Sequence, residues 1–284
     1  KTELSIKIAK IYNSEIISAD SKQFYKELNI GTAKPIEDEL KKVKHHFINI
    51  ISIKDPFSAG KYAYQVNEFL KYYYKSRDTA VLVGGSGLFI DSILYGIDEI
   101  PSVPNRIREK LNNLYKKKGV KFLCKELKKI DPKYYESVDK NNHRRLIRAL
   151  EVYYYKNRPY SSYLSNKKKL RKDLDITIIG IALDRNTLNK RIDDRVDNMI
   201  KNGLLIEAKS LYNYRSLNSL NTIGYKEIFK FYDNKLSLDE SISLLKSNTR
   251  KYSKRQLTWF KKYKNINWIS QIKKIEEIQK IINN

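Results

Sequence analysis

The chain has 284 residues, enough to bury roughly three-quarters of its unfolded surface, as one large domain with an insertion or two modest ones. Its 57 Lys and Arg against 32 Asp and Glu leave a net charge of +25, which favours a polyanionic partner such as nucleic acid, although AT-rich coding bias towards Lys, Asn, Ile and Tyr accounts for part of the excess. Cys124 is the one cysteine, which excludes an internal disulfide and a cysteine-built zinc site and fits a reducing cytosol; there is no apolar run of about 20 residues, and no signal peptide is visible in the residues given.

Lys1-Thr2 leads into residues 3–9, whose apolar positions 4, 6, 8 and 9 predict a helix packed on a sheet. A chain opening on Lys rather than Met reads as starting inside a longer motif. Lys-Thr at a helix start, ahead of a strand that ends in Asp, has the form of the tail of a phosphate-binding loop, GxxxxGK[ST]. The glycine-rich part of that motif is not in the sequence.

Residues 16–19 predict a buried strand ending in the polar cluster Asp20-Ser21-Lys22-Gln23. Ligands in open α/β sheets bind beyond the carboxyl ends of strands, so Asp20 stands where a catalytic carboxylate is expected; a turn or N-cap is the plainer alternative. A loop follows at residues 31–35, then another strand region at 43–53 and a helix at 59–76 carrying Tyr62, Val66, Phe69, Leu70 and Tyr73. Residues 79–83 predict a strand ending in Gly84-Gly85-Ser86-Gly87, and residues 88–95 a helix. This alternation argues for a parallel, doubly wound α/β sheet.

Beyond Pro101 the sequence is charged and helical, with helices predicted at 105–118, 121–129 and 141–156 and a break at Asp131-Pro132. It reads as a helical insertion, residues 102–165, in an α/β core formed by residues 1–101 and 166–284. The basic run 167–172 reads as a solvated loop. Residues 175–183 predict a central strand buried on both faces, and 187–212 a long helix carrying Arg191, Arg195 and Met199. Helices are predicted at 225–232, 238–260 and 275–282, with a last strand around Trp268.

Lys1-Thr2, DSKQFYKELNIGTAKP (residues 20–35), His45-His46-Phe47, LVGGSGLFID (82–91), RRLIRALEVY (144–153), NTIGYKE (221–227) and KRQLTWFKK (254–262) occur in one order. Together they resemble the tRNA dimethylallyltransferases, also called tRNA isopentenyltransferases, over nearly the whole chain. The resemblance implies a P-loop NTPase-like α/β fold, its parallel sheet flanked by helices, with a helical insertion that binds tRNA. It implies transfer of a dimethylallyl group from dimethylallyl diphosphate to N6 of the adenine immediately 3′ of the anticodon (position 37) in tRNAs reading codons that begin with U. It further implies Mg²⁺, the tRNA anticodon stem-loop as partner, no membrane, a cytoplasmic location and a monomer.

By the same resemblance Lys1 neutralises the diphosphate and Thr2 ligates Mg²⁺. Asp20 matches the catalytic carboxylate. The exocyclic amine of adenine is a poor nucleophile because its lone pair is delocalised, and a carboxylate accepting its proton contributes roughly 10²–10⁴-fold. Asp20 could equally hold N6 by a hydrogen bond. Arg195 matches the arginine that meets charge on the departing diphosphate; the alternative is a surface arginine paired with Asp194 or Glu207. Ser86, at a position usually Thr in bacterial members, keeps a hydroxyl for the adenine or the tRNA, and Gly84 and Gly85 let backbone approach a ligand.

The adenine must leave the stacked loop to react. The gripping segments implied are Asp20, Ser21, Lys22 and Gln23; Ser86; Arg108; Arg144, Arg145, Leu146, Ile147 and Arg148; Asn221, Thr222, Ile223, Gly224, Tyr225 and Lys226; and Lys254, Arg255, Gln256, Leu257, Thr258, Trp259, Phe260 and Lys261. Arg144, Arg145 and Arg148 form a basic stripe, and Tyr225 and Trp259 offer stacking faces. His45 and His46, adjacent on a strand, point to opposite faces, so no protein-ligated zinc is expected.

Three rivals share some of these features. A P-loop small-molecule kinase leaves KRQLTWFKK and RRLIR unexplained. An adenine-nucleotide prenyltransferase needs no basic insertion. An RNA-binding protein with a vestigial P-loop needs no Asp20, Ser86 and Arg195 beside a diphosphate site.

Overall fold

The computed structural model describes residues 1–165, 169–270 and 275–283, so Lys167 and Lys168 of the basic run, and the boundary expected at residue 166, lie outside the described residues. Its elements in chain order are α1 (Thr2–Ile11), β1 (Ile16–Ser18), α2 (Glu37–Lys42), β2 (His45–His46), α3 (Ala59–Tyr73), β3 (Val81–Val83) and α4 (Gly87–Leu94). Then come α5 (Asn105–Ile130), α6 (Pro132–Ser137), α7 (His143–Lys156), β4 (Ile178–Ile181), α8 (Arg185–Lys201), α9 (Leu204–Leu211), α10 (Tyr225–Tyr232), α11 (Leu238–Phe260), β5 (Ile266–Ile269) and α12 (Ile275–Asn283). The chain forms two compact units, residues 1–94 with 171–284, and residues 95–170. Among the described residues no helix is long and apolar enough to cross a membrane.

In the larger unit the strand order is β2-β1-β3, all parallel. β1 is fully buried, and its register sets Ile16 against Val81 and Ser18 against Val83. The carboxyl ends of β1 and β3 therefore emerge side by side, which brings Asp20 next to the glycine loop after β3. An aromatic and aliphatic cluster lies beneath: Ile17, Ala19 and Phe24 pack with Tyr62, Val66 and Leu70 of α3. Tyr62, fully buried, donates its hydroxyl to the Ser18 carbonyl at 2.9 Å and so fixes the strand end from below. A second cluster joins Val196 of α8, Leu204 and Ala208 of α9, Tyr225 and Ile228 of α10 and Leu245 of α11.

Three expectations change. The strand region at 43–53 narrows to His45–His46, because Phe47 and Asn49 take φ values of 60° and 58°, outside the extended region. The strand expected at 175–183 is confined to Ile178–Ile181, of which Gly180 alone is buried; among the described residues it pairs with β5 only, so it is not the centre of a sheet. The single helix expected at 187–212 divides into α8 and α9 at Gly203, whose φ of 98° ends the first helix.

The smaller unit is helical. α5 joins the two helices expected at 105–118 and 121–129 through a bend at Gly119, φ 72°. Asp131 both ends α5 and caps α6, its carboxylate accepting from the Tyr134 N–H at 3.0 Å. Leu111, Leu123, Leu127, Leu146, Ile147 and Leu150 make this unit's core.

Candidate active site

The site grows from the two strand ends. After β1 the chain turns at Asp20, whose carboxylate accepts the backbone N–H of Lys22 at 2.9 Å, an Asx turn that fixes the side chain at the strand end. After β3 the backbone passes so close that a Cβ on Gly84 would lie 2.4 Å from the Ala19 carbonyl oxygen, an approach only glycine permits. Ser86, which is buried, starts α4 and accepts the Ser21 backbone N–H at 3.0 Å while donating to Ser21 Oγ at 3.1 Å. Two loops distant in sequence are thus one polar surface.

Charge concentrates there. Asp20 is half-buried, and burial pushes its carboxyl above the ordinary range, against the N–H of Lys22 and the charges of Lys1 and Lys22. Removal of the Lys1 ammonium from bulk water holds it below the usual lysine range; Asp20 pulls it back up and Arg195 depresses it further. Lys22 is likewise lowered by burial, with Asp20 opposing, and its Nζ donates to the Ser219 carbonyl at 3.0 Å. Lys1, Thr2, Asp20, Ser86 and Arg195 are thereby gathered at one end of the sheet. Arg195 is exposed on α8, and the ion-pair alternative fails for Glu207, whose carboxylate is taken by the N–H groups of Asn29, Ile30 and Gly31.

The C-terminal half of α11 forms the third wall. Gln256 donates to the Gly85 carbonyl at 2.7 Å, and a Cβ on Gly85 would collide with that amide at 2.1 Å. Trp259 is half-buried against Gly87, with Lys262 Nζ 5.1 Å from its ring centroid, so it is a wall element with one face covered rather than an open platform. Lys254, Arg255, Thr258 and Lys261 are exposed, whereas Leu257 and Phe260 are half-buried, Phe260 edge-on to Tyr263.

Other expected contacts are corrected. Tyr225 is 0% exposed, donates its hydroxyl to Glu207 at 2.6 Å and packs on Gly31, so it has no face for a base. Its segment is a brace: Gly224, φ 106°, approaches Gly31, Thr222 and Ile223 are half-buried, and Asn221 and Lys226 alone are exposed. Gln23 donates to the carbonyls of Thr32 and Ala33 at 3.3 and 3.2 Å and so holds the loop after Gly31. In the smaller unit Leu146 and Ile147 are core residues, 0% and 4% exposed. Arg108 and Arg148 both bind Glu151, itself 0% exposed, at 2.6 Å, which leaves Arg144 and Arg145 as the solvent-facing pair of that stripe. His45 and His46 diverge, His45 to the Val43 carbonyl and His46 to Glu15. Among the described residues no three His, Cys, Asp or Glu side chains gather as a metal group.

Tyr252 escaped sequence reasoning. It lies one helical turn before Gln256 on α11, and burial, reinforced by the Asp20 charge, pushes its phenol above the usual range. The i, i+4 spacing in YSKRQ was the available signal.

The IPP transferase family model matches residues 23–263. The chain belongs to the IPP transferase family. It is 48% identical to the tRNA dimethylallyltransferase of Christiangramia forsetii over 94% of this chain and 88% of that one. It is 45% identical to tRNA dimethylallyltransferase 1 of Bacteroides fragilis, over 94% and 89%. Among solved structures it resembles the tRNA isopentenylpyrophosphate transferase of Bacillus halodurans, with a TM-score of 0.70, 35% identity, and coverage of 100% and 90%. It also resembles a eukaryotic dimethylallyltransferase described as acting on tRNA, with a TM-score of 0.79, 27% identity, and coverage of 95% and 70%. The fold is accordingly the P-loop NTPase-like α/β fold of this family.

Proposed function

We propose that this chain is a tRNA dimethylallyltransferase, transferring the dimethylallyl group of dimethylallyl diphosphate to N6 of the adenine immediately 3′ of the anticodon, in tRNAs reading codons that begin with U. The observation that carries this reading is Asp20: a half-buried carboxylate at a strand end, flanked by Lys1 and Lys22 and joined through Ser21 to Ser86. A carboxylate raised in pKa beside two lysines held below their usual range is the kind of cluster that acid–base chemistry uses.

The leaving group meets the N-terminus of α1, whose first N–H groups have no partner within the helix and favour an anion. Lys1 adds a point charge there, and Arg195 a second cation for the diphosphate as it departs. Mg²⁺ takes most of its ligands from water and substrate phosphate, so one protein hydroxyl fits it, and Thr2 at the first turn of α1 is the residue that would supply it. When bound, the ion would neutralise charge on the diphosphate. The new bond joins N6 to the allylic carbon as that carbon's bond to diphosphate oxygen breaks. The N6 proton passes to Asp20 and inorganic diphosphate leaves.

The tRNA anticodon stem-loop is held in this reading by the exposed cations of α11, Lys254, Arg255 and Lys261, and by Arg144 and Arg145 of the helical unit. The enzyme acts as a cytoplasmic monomer. The deciding assay presents labelled dimethylallyl diphosphate and Mg²⁺ to the full-length protein with unmodified tRNA and AMP in parallel. Label in tRNA at the expected adenine supports the reading. Label in AMP alone assigns a nucleotide prenyltransferase, and phosphate transfer from ATP without prenylation assigns a kinase.

A further inference from the structure

Ser86 fixes one side of the turn that carries Asp20, and Gln23 fixes the other. The Gln23 backbone N–H donates to the Asp20 carbonyl at 3.2 Å and closes the turn. Its side-chain amide donates to the Thr32 carbonyl at 3.3 Å and to the Ala33 carbonyl at 3.2 Å, which spends both amide protons. On this side the turn is therefore as firm as the loop of residues 29–34.

That loop is costly to hold. Ala33 has a φ of 47°, in the left-handed region that a Cβ disfavours. What holds it comes from another element. The N–H groups of Asn29, Ile30 and Gly31 converge on the carboxylate of Glu207 in α9, the first two on Oε2 at 3.1 and 2.9 Å, the third on Oε1 at 3.0 Å. Oε1 also accepts the Tyr225 hydroxyl at 2.6 Å. Four donors fill the four lone-pair positions of one carboxylate, and bonds to a charged acceptor are the stronger kind. The same tyrosine closes the loop from its other side, since a Cβ on Gly31 would stand 2.7 Å from its ring. Leu204 and Ala208, both fully buried, root α9 in the core, so Glu207 carries the rigidity of the core out to the loop.

We propose that Glu207 is a positioning residue for Asp20, acting through the loop and Gln23. The path runs from Glu207 to the N–H groups of residues 29–31, from the Thr32 and Ala33 carbonyls to the Gln23 amide, and from the Gln23 N–H to Asp20. Glu207→Gln removes the charge and turns one acceptor into a donor that faces other donors. The loop then slackens, Gln23 loses its anchor and the Asp20 carboxylate loses its aim. The tRNA-binding cations of α11 are untouched, so the loss falls on the chemical step. This rests on the tRNA-prenylating reading above.

The test is a double-mutant cycle on the single-turnover rate constant for prenyl transfer. It compares full-length wild type, Glu207→Gln, Gln23→Met and the double variant, each in excess over unmodified tRNA, so the constant does not depend on how much variant is folded. Each single variant should lose roughly tenfold, with tRNA affinity within about twofold of wild type. The double variant should lose no more than about twofold beyond the slower single one, because both changes cut the same path. A wild-type rate constant for Glu207→Gln, or losses that multiply in the double variant, overturns the proposal: a carboxylate that only stabilised the fold would act in one of those two ways. A wild-type rate constant for Gln23→Met overturns it as well, with no need of a folded Glu207 variant. A wild type that prenylates AMP but not tRNA overturns instead the tRNA reading, and the same cycle run on AMP then decides the role of Glu207.

Discussion

The backbone N–H of Ser21 donates to Ser86 Oγ at 3.0 Å, which ties the turn carrying Asp20 to the glycine loop beyond β3. Ser86→Ala removes that acceptor and leaves Ser21 N–H without it, so Asp20 loses its positioning rather than its charge. We expect kcat for prenyl transfer to fall roughly 10- to 100-fold, the cost of small misplacements at a reacting centre. Ser86→Thr keeps the hydroxyl and should restore most of the rate. Steady-state kinetics of both variants, with equal activity of Ser86→Ala and wild type as the opposing result, decides the point.

Gly84 meets the Ala19 carbonyl, and a backbone atom cannot swing aside as a side-chain tip can. Gly84→Ala should cost about 1–3 kcal/mol of stability through forced separation of the two strand ends. Urea unfolding measures this directly, and an unchanged midpoint would contradict the close approach.

Much of this arrangement was legible from residue order. The short apolar run of residues 16–19 before Asp20, and the TAVLV run before Gly84, announced two strand ends, and parallel pairing placed them together. What periodicity could not show was commitment. Tyr225 reads like a stacking aromatic, and only the packing of α9 against the loop after Leu28 explains why its hydroxyl is spent on Glu207. Leu146 and Ile147 sit between arginines in sequence but on the opposite face of α7, which turns inward. The 175–183 run looked central because it is apolar, yet a strand's apolar content does not specify how many neighbours it finds.

The pH dependence of transfer follows from Asp20. A base works ionised, and burial raises its pKa, so the acid limb of the kcat profile should lie above the ordinary aspartate range. Lys22 opposes that rise by its charge. Lys22→Met removes the opposing cation, so the acid limb should move to still higher pH. A pH–rate profile in which the limb stays put or moves down would remove Asp20 as the titrating group.

The arginines of the helical unit should divide into two kinds. Arg144→Ala with Arg145→Ala should weaken tRNA binding and flatten its log–log salt dependence by about one for each phosphate no longer neutralised, with little effect on the melting temperature. Arg108→Ala with Arg148→Ala strands the buried Glu151 carboxylate and should cost about 1–3 kcal/mol, a figure already reduced for the partial exposure of both guanidinium groups. Binding titrations at several salt concentrations, with thermal melts alongside, separate the two.

The most direct measurement is single-turnover transfer from dimethylallyl diphosphate to saturating unmodified tRNA, by wild type and Asp20→Ala, with tRNA affinity measured on the same samples. Asp20→Ala should bind tRNA nearly as well as wild type and transfer roughly 10²–10⁴-fold more slowly. An Asp20→Ala protein that transfers at the wild-type rate would contradict the assignment of Asp20 as the base, and with it the centre of this mechanism.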